Sequence, residues 1–253
     1  MTKLTRLLLA GTAILIAGFA QAQNTDLRVA MQLEPPNLDP TAGAAQAIDS
    51  VVYSNIFEGL TRFTSDGSVV PGLAASWDIS DDGLTYTFHL HDEVKFHDGS
   101  AMDAEDVKFS LDRARAEGST NAQKVLFSAI ADVTIVDPLK VKVTLSKTNG
   151  AFLFNLAWGD AVIVAPESAA DNATKPIGTG AFLFKDWVQG DHIDLIKNPD
   201  YWGTPAKLET ASIRFISDPT AAFAAMMAED IDVFVGFPAP ENVPQFQADS
   251  RFQ

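Results

Sequence analysis

The sequence has no cysteine. That excludes a disulfide framework and cysteine-held metals, and it leaves no site for the acylation that anchors bacterial lipoproteins. Stability must come from an apolar core. Positive charge is also scarce: 18 lysines and arginines face 33 aspartates and glutamates, for a formal net charge of −15. This balance argues against nucleic acid and against anionic membrane surfaces, both of which attract clustered cations. Enzyme signatures are missing. There is no Walker phosphate loop, no G-x-S-x-G elbow, no H-E-x-x-H pair and no dinucleotide fingerprint. Gly178-Thr179-Gly180 is too short to cradle a pyrophosphate and reads as a tight turn. No catalytic residue, cofactor or resident metal is expected. Long apolar runs are lacking too, with one exception at the start of the chain.

That exception sets the expected compartment. Lys3 and Arg6 precede an apolar run from Leu7 to Phe19, and Ala20-Gln21-Ala22 follows it. The run is about 13 residues long, against roughly 20 for a bilayer span. A basic start, a short apolar core and an A-x-A end describe a secretory signal peptide over residues 1–22, cleaved after Ala22. The expected product is a periplasmic protein with no inserted segment. Hydrophobic residues at 47% and charged residues at 20% suit a globular fold.

Periodicity then outlines the mature chain. Leu27 to Met31 reads as a strand, and the proline-rich stretch from Glu34 to Pro40 as a loop. Ile48, Val52, Ile56 and Leu60 recur every four residues, which predicts an amphipathic helix ending near Gly59. From Arg62 to Gly99 the period falls to two. Asp66-Gly67, Asp82-Gly83 and Asp98-Gly99 punctuate it as tight reversals, predicting an antiparallel meander. Asp103 can cap a helix carrying Val107, Ser110, Leu111 and Ala114 on one face and stopping by Gly118. A hairpin turning at Asp137-Pro138 follows, then the apolar patch Phe152, Leu153, Phe154 and Leu156, expected in the core. A second hairpin turns around Gly190. Ser212–Ile216, Pro219–Ala228 and Ile231–Phe237 read strand, helix, strand, implying a right-handed crossover between parallel strands.

Several constellations have a chemical reading and a plainer one. His89, His91 and His97 could offer imidazoles to zinc or nickel, but an exposed strand face explains them better. Asp78, Ser80, Asp82 and Gly83 imitate a calcium loop, yet the twelfth position is His89 rather than Glu. Asn172-Ala173-Thr174 is a glycosylation sequon by pattern only. Trp77, Trp158, Trp187 and Trp202 could line a peptide or sugar cleft, with core packing favoured for Trp77 and Trp187.

The order of motifs is more specific than any one of them. Ser54-Asn55-Ile56-Phe57-Glu58-Gly59-Leu60 is followed by Pro71-Gly72-Leu73-Ala74-Ala75-Ser76-Trp77 and Asp82-Gly83-Leu84-Thr85-Tyr86-Thr87-Phe88. Then come Val94-Lys95-Phe96-His97-Asp98-Gly99, Ala104-Glu105-Asp106-Val107-Lys108-Phe109-Ser110-Leu111, Pro176-Ile177-Gly178-Thr179-Gly180 and Asn198-Pro199-Asp200-Tyr201-Trp202-Gly203. Together they resemble the extracellular solute-binding proteins of family 5, the dipeptide, oligopeptide, nickel and glutathione receptors of ABC importers. There are departures: Ala181 stands where the family usually has Pro, and Ala228-Glu229-Asp230 where it usually has Gly.

The resemblance implies an α/β, periplasmic-binding-protein-like (type II) fold of mixed sheets with helices. Residues 23–59 and 174–253 would form a split first lobe, and 60–173 an inserted β-rich lobe. Members are about twice as long, so the second large lobe is expected to be missing. The implied function is non-covalent capture of a peptide-like small solute for an inner-membrane permease. An exported hydrolase and a nickel-complex-binding member are the alternatives. In open α/β sheets, ligands bind beyond the carboxyl ends of the strands. That points to Gln32, Leu33, Glu34 and Pro35 after the first strand and to Val235, Gly236, Phe237 and Pro238 after the last. Family members also place contacts in these two loops.

Overall fold

Alternation of apolar residues in Leu27, Val29 and Met31 places β1 (Asp26–Met31) at the heart of a sheet. The computed structural model describes residues 25–252, so the expected signal peptide lies outside the described residues. β1 sits inside a five-stranded sheet of order β11-β1-β10-β9-β8. Its parallel neighbours are β10 (Thr210–Phe215) and β11 (Val233–Val235). The two strands joined by α4 (Pro219–Met227) therefore run the same way, as expected, but β1 lies between them. A strand from the start of the chain outcompetes the local partner because it completes both ladders at once. β8 (Phe182–Val188) and β9 (His192–Lys197) form the antiparallel margin, turning at Gly190 with φ +78°.

The expected meander is split. β2 (Thr61–Phe63) and β3 (Val69–Pro71) pair only with each other. β4 (Ala74–Ile79) and β5 (Thr85–Leu90) join β7 (Lys140–Leu145) and β6 (Ile130–Asp137) in a four-stranded sheet of order β4-β5-β7-β6. Gly67, Gly83 and Gly99 all have positive φ, so each Asp-Gly pair does make its reversal. α2 (Ala104–Arg115) packs across this sheet, opened by a capping box between Asp103 and Asp106. It ends at Ala116, a little before Gly118, where the backbone turns extended. Tyr86, Phe88, Leu90, Val107 and Leu111 share one buried cluster, as their period predicts. A second buried cluster joins α1 (Gln46–Val52) to β1, β9 and β10 through Ile48, Val51, Val52, Leu195 and Ile213.

α1 is shorter than its apolar spacing suggests. The helix stops at Val52, and the Asn55 amide donates to the Val51 carbonyl it leaves behind. Ser54 then takes a positive φ of 59°. Ile56 and Leu60 are still fully buried, but from a turn rather than a helix. Periodicity recorded burial correctly and backbone conformation wrongly. Phe154 likewise departs from its expected core place: it is 42% exposed while Phe152 and Leu156, on α3 (Phe152–Asn155) and just after it, are buried. Gly178 and Gly180 do not make a tight turn of positive φ. A Cβ on either would fall 2.0 Å from the Ile56 carbonyl oxygen or 2.3 Å from that of Asn55, so these glycines permit close backbone approach.

Candidate functional site

Because β1 and β11 are hydrogen-bonded in register, Met31 stands beside Val235. The loops that follow them therefore leave the same end of the sheet side by side. Val235, expected in the loop, is instead the last residue of β11, paired with Met31; it is 54% exposed and Leu33 of the loop after β1 is 68% exposed, so both present an apolar side chain to solvent. Gln32 and Gly236 are also exposed, whereas Pro35 is buried and Phe237 and Pro238 are half-buried. Phe237 stacks edge-on with Phe234 and Phe246, which ties its loop to α5 (Val243–Gln247). Glu34 is engaged within the fold. Its Oε1 accepts from the Trp187 indole and from the Gly190 amide, both at 2.9 Å, and so fixes the β8–β9 turn against the loop after β1. Behind these loops, an apolar cavity of 320 Å3 follows one face of the sheet along Val29, Met31, Ile213 and Val235 to Ser50 of α1.

Also against α1, and sharing Ser50 with the first, lies a larger, more polar cavity of 580 Å3. Its lining includes Gly43, Gln46, Asp49, Gln123, Trp158 and Asp160. Asp49 rides on α1, and Asp160 sits in the 3-10 turn Gly159–Ala161. That turn is held from below, since the buried Asn121 amide donates to the Asp160 carbonyl at 2.8 Å. Burial raises Asp49 above the usual carboxylate range. Burial, reinforced by the Asp49 charge, pushes Asp160 up to about 6.

A third cavity, of 630 Å3, is lined by Tyr53, Glu58, Arg62, His91, Tyr201 and Trp202. Here the acid is saturated. Glu58 Oε2 accepts from the Thr179 hydroxyl at 2.8 Å and the Trp202 indole at 2.9 Å, and Oε1 accepts from the Tyr201 hydroxyl at 2.7 Å. Burial raises Glu58, and those three bonds act against the rise.

The three histidines do not converge. His89 bonds Asp78 at 2.8 Å, His91 packs on the Trp202 ring at 4.6 Å, and the largely buried His97 ring bonds the Gly180 carbonyl at 3.0 Å. His91 lies just past the end of β5, so it does not share a strand face with His89. Among the described residues no group of three or more His, Asp or Glu side chains could hold a metal ion. The imitation calcium loop is a hairpin turn in which Asp82 accepts from Ser80 and the Leu84 amide. Asn172 of the sequon is fully buried, with Oδ1 accepting from the Ile177 amide. A glycan has no access there. Trp77 and Trp187 pack against the two cores as expected.

Residues 68–253 match the family described as bacterial extracellular solute-binding proteins, family 5 Middle. The chain belongs to that family. It is 39% identical over 188 residues to the glutathione-binding protein of Pectobacterium atrosepticum, covering 72% of this chain and 36% of that protein. It is 29% identical to di/tripeptide-binding protein 4 of Pseudomonas aeruginosa, covering 94% of this chain and 49% of that one. The periplasmic binding protein DppA of Helicobacter pylori, solved with the peptide STSA, superposes with a TM-score of 0.81 at 28% identity, over 89% of this chain and 49% of that one. The fold is thus that of the type II periplasmic binding proteins, and the chain spans about half the length of these relatives or less. Its relatives are solute-binding proteins. No helix among the described residues is long and apolar enough to cross a membrane.

Within this family 5 chain, sequence reasoning singled out the loops at the sheet end and passed over Asp49, Gly159 and Asp160. Asp49 sits between the apolar positions Ile48 and Val52 of α1 and reads as a solvated acid. Asp160 belongs to no periodic element. Only Trp158, among the tryptophans offered as cleft-lining candidates, pointed to this cavity.

Proposed function

We propose that this chain captures a small peptide-like solute non-covalently in the periplasm and delivers it to an ABC permease in the inner membrane. The observation that carries the reading is the pairing of Met31 with Val235. It sets Gln32–Pro35 and Val235–Pro238 next to each other, at the sheet end where α/β folds receive ligands. In this reading the exposed Leu33 and Val235 side chains contact the apolar part of the solute. Glu34, with Oε1 held by Trp187 and Gly190, offers its other oxygen to an amide N–H of the solute. Family membership supports the carrier role, and the relatives' glutathione and di- and tripeptides give the solute class. Residues 23–59 and 174–253 act as one lobe of the cleft, with 60–173 as a supporting lobe, and export begins with cleavage after Ala22.

The test is calorimetric titration of the exported protein with dipeptides, tripeptides, glutathione and nickel–histidine complexes. Saturable binding of an intact peptide, weakened by Leu33→Asp or Val235→Asp, is the expected result. Cleavage of the peptide would replace this reading with the exported hydrolase, and binding of the nickel complex alone with a metal-complex receptor. Peptide binding unchanged in both aspartate variants would move the site away from the two loops.

A further inference from the structure

We propose that the cavity between α1 and the Trp158–Ala161 turn is a cation subsite, seating a primary ammonium of the solute between the carboxylates of Asp49 and Asp160. This rests on the capture reading above and names the chemistry that one part of the solute must carry.

Three observations converge. The first is the seat of Asp49. A Cβ added to Gly159 would lie 2.4 Å from Asp49 Oδ1 and 2.7 Å from Oδ2. The Asp49 carboxylate therefore rests directly on the turn that carries Asp160, in space that exists because residue 159 has no side chain. The second is the state of Asp160. It is only 7% exposed and lines the cavity, and its carboxylate, which accepts from its own backbone amide, has no hydrogen bond or ion pair with another residue among the described residues. The Asp49 carboxylate has none either, whereas the carboxylates of Asp39, Asp106 and Glu58 are each buried or half-buried with donors at hand. Two neighbouring carboxylates in a poorly hydrated place repel each other and lack solvation. The raised titration of both is the expected consequence. A cation placed between them removes both penalties and makes charge-assisted hydrogen bonds to each.

The third observation is the wall. Trp158 is 40% exposed and lines the same cavity, and its ring is held edge-on by Phe63 and Phe154 at 6.5 Å and 6.2 Å between centroids. An indole face attracts an organic ammonium and packs against the carbons that bear it. Gly43, Ala44 and Ala45 also line the cavity with small side chains, and its 580 Å3 has room for a substituted amine. A calcium ion would instead need six or more oxygen ligands, and an indole wall supplies none.

The test measures binding of n-butylammonium, neutral 1-butanol, calcium, trialanine and N-acetyl-trialanine at pH 7.5. The proteins are the wild type, Asp160→Asn, Asp49→Asn and Glu105→Gln, the last removing one exposed charge from α2. Thermal unfolding of each variant verifies its fold. Butylammonium should bind where butanol does not, weaken at least about tenfold in either Asn variant, and keep its affinity in Glu105→Gln. Trialanine should lose a similar factor on acetylation. If trialanine binds the wild type and both Asn variants alike, the subsite is wrong and the capture reading stands. If butylammonium binds in an Asp160-dependent way and no peptide binds, the subsite stands and the peptide reading falls. Equal binding of butylammonium and butanol, or Asp160-dependent calcium binding that excludes butylammonium, overturns the subsite.

Discussion

Glu58 and Asp160 are acids lining cavities of similar size, 630 and 580 Å3, and the fold treats them in opposite ways. Around Glu58 the Thr179 and Tyr201 hydroxyls and the Trp202 indole supply three donors from two distant segments of the chain. The carboxylate there ties the Gly178–Gly180 and Tyr201–Trp202 stretches to the turn after α1. Around Asp160 the carboxylate has its own backbone amide and no donor from another residue among the described residues, and the like charge of Asp49 acts on it. Two poorly hydrated like charges side by side cost stability, and folds tolerate such a cost where function requires it. The pair teaches that burial alone does not identify a working acid: Glu58 has an architectural role, and Asp160 awaits a partner from outside the chain.

Removing Glu58 should give the largest effect. Glu58→Ala strands three donors that share partly buried surroundings, and should destabilise the protein by about 3–5 kcal/mol in denaturant unfolding. A loss below about 1 kcal/mol would break the contrast. Asp160→Asn should act in the opposite direction, raising stability by about 1–2 kcal/mol at pH 8, because it deletes a charge whose folded form is disfavoured. Destabilisation by Asp160→Asn would reveal an internal partner and erase the difference between the two acids.

The pH dependence sharpens the same point. Asp160 moves from an ordinary value of 3.8 to about 6 on folding, so the folded chain holds its proton where the unfolded chain has released it. Its contribution to stability is present below the ordinary carboxylate range and is lost as pH rises through about 6. Asp106 is also pushed up to about 6, mainly by burial, and contributes in the same direction. The stability gap between Asp160→Asn and wild type should therefore widen from pH 4 to pH 7 and then level off. A gap independent of pH would mean that Asp160 titrates normally. The smallest effect belongs to Gly159→Ala. Its new methyl group meets the flexible end of Asp49, which can swing aside, so stability should fall by about 1 kcal/mol or less. Butylammonium binding should weaken with it, since the two carboxylates no longer share one seat.

Much of the fold was legible in the residues. The strands β1, β5, β7 and β9 follow from alternation, α2 from its Asp103 cap and apolar face, and the reversals at Gly67, Gly83, Gly99 and Gly190 from local φ preferences. These features are short-range, and short-range sterics and amphipathicity decide them. The order of motifs carried the family. The chain could not show locally which strands would become neighbours. β1 separates β10 from β11, and β4–β5 leaves β2–β3 to join β7, because these pairings maximise burial between segments far apart in sequence. The same holds for α1, where Ile56 and Leu60 keep a helical spacing on a non-helical backbone.

The candidate site divides along that line. By itself the sequence determined two loops at the carboxyl ends of strands, since strand direction and loop chemistry are local properties. Only the tertiary structure decided which acids find donors on other residues and which do not. Thr179, Tyr201 and Trp202 reach Glu58 across more than a hundred residues, and Asp49 meets the Asp160 turn only because a glycine at 159 leaves space for its carboxylate. Whether a buried charge finds a donor depends on positions in space, and neighbours in sequence do not set them.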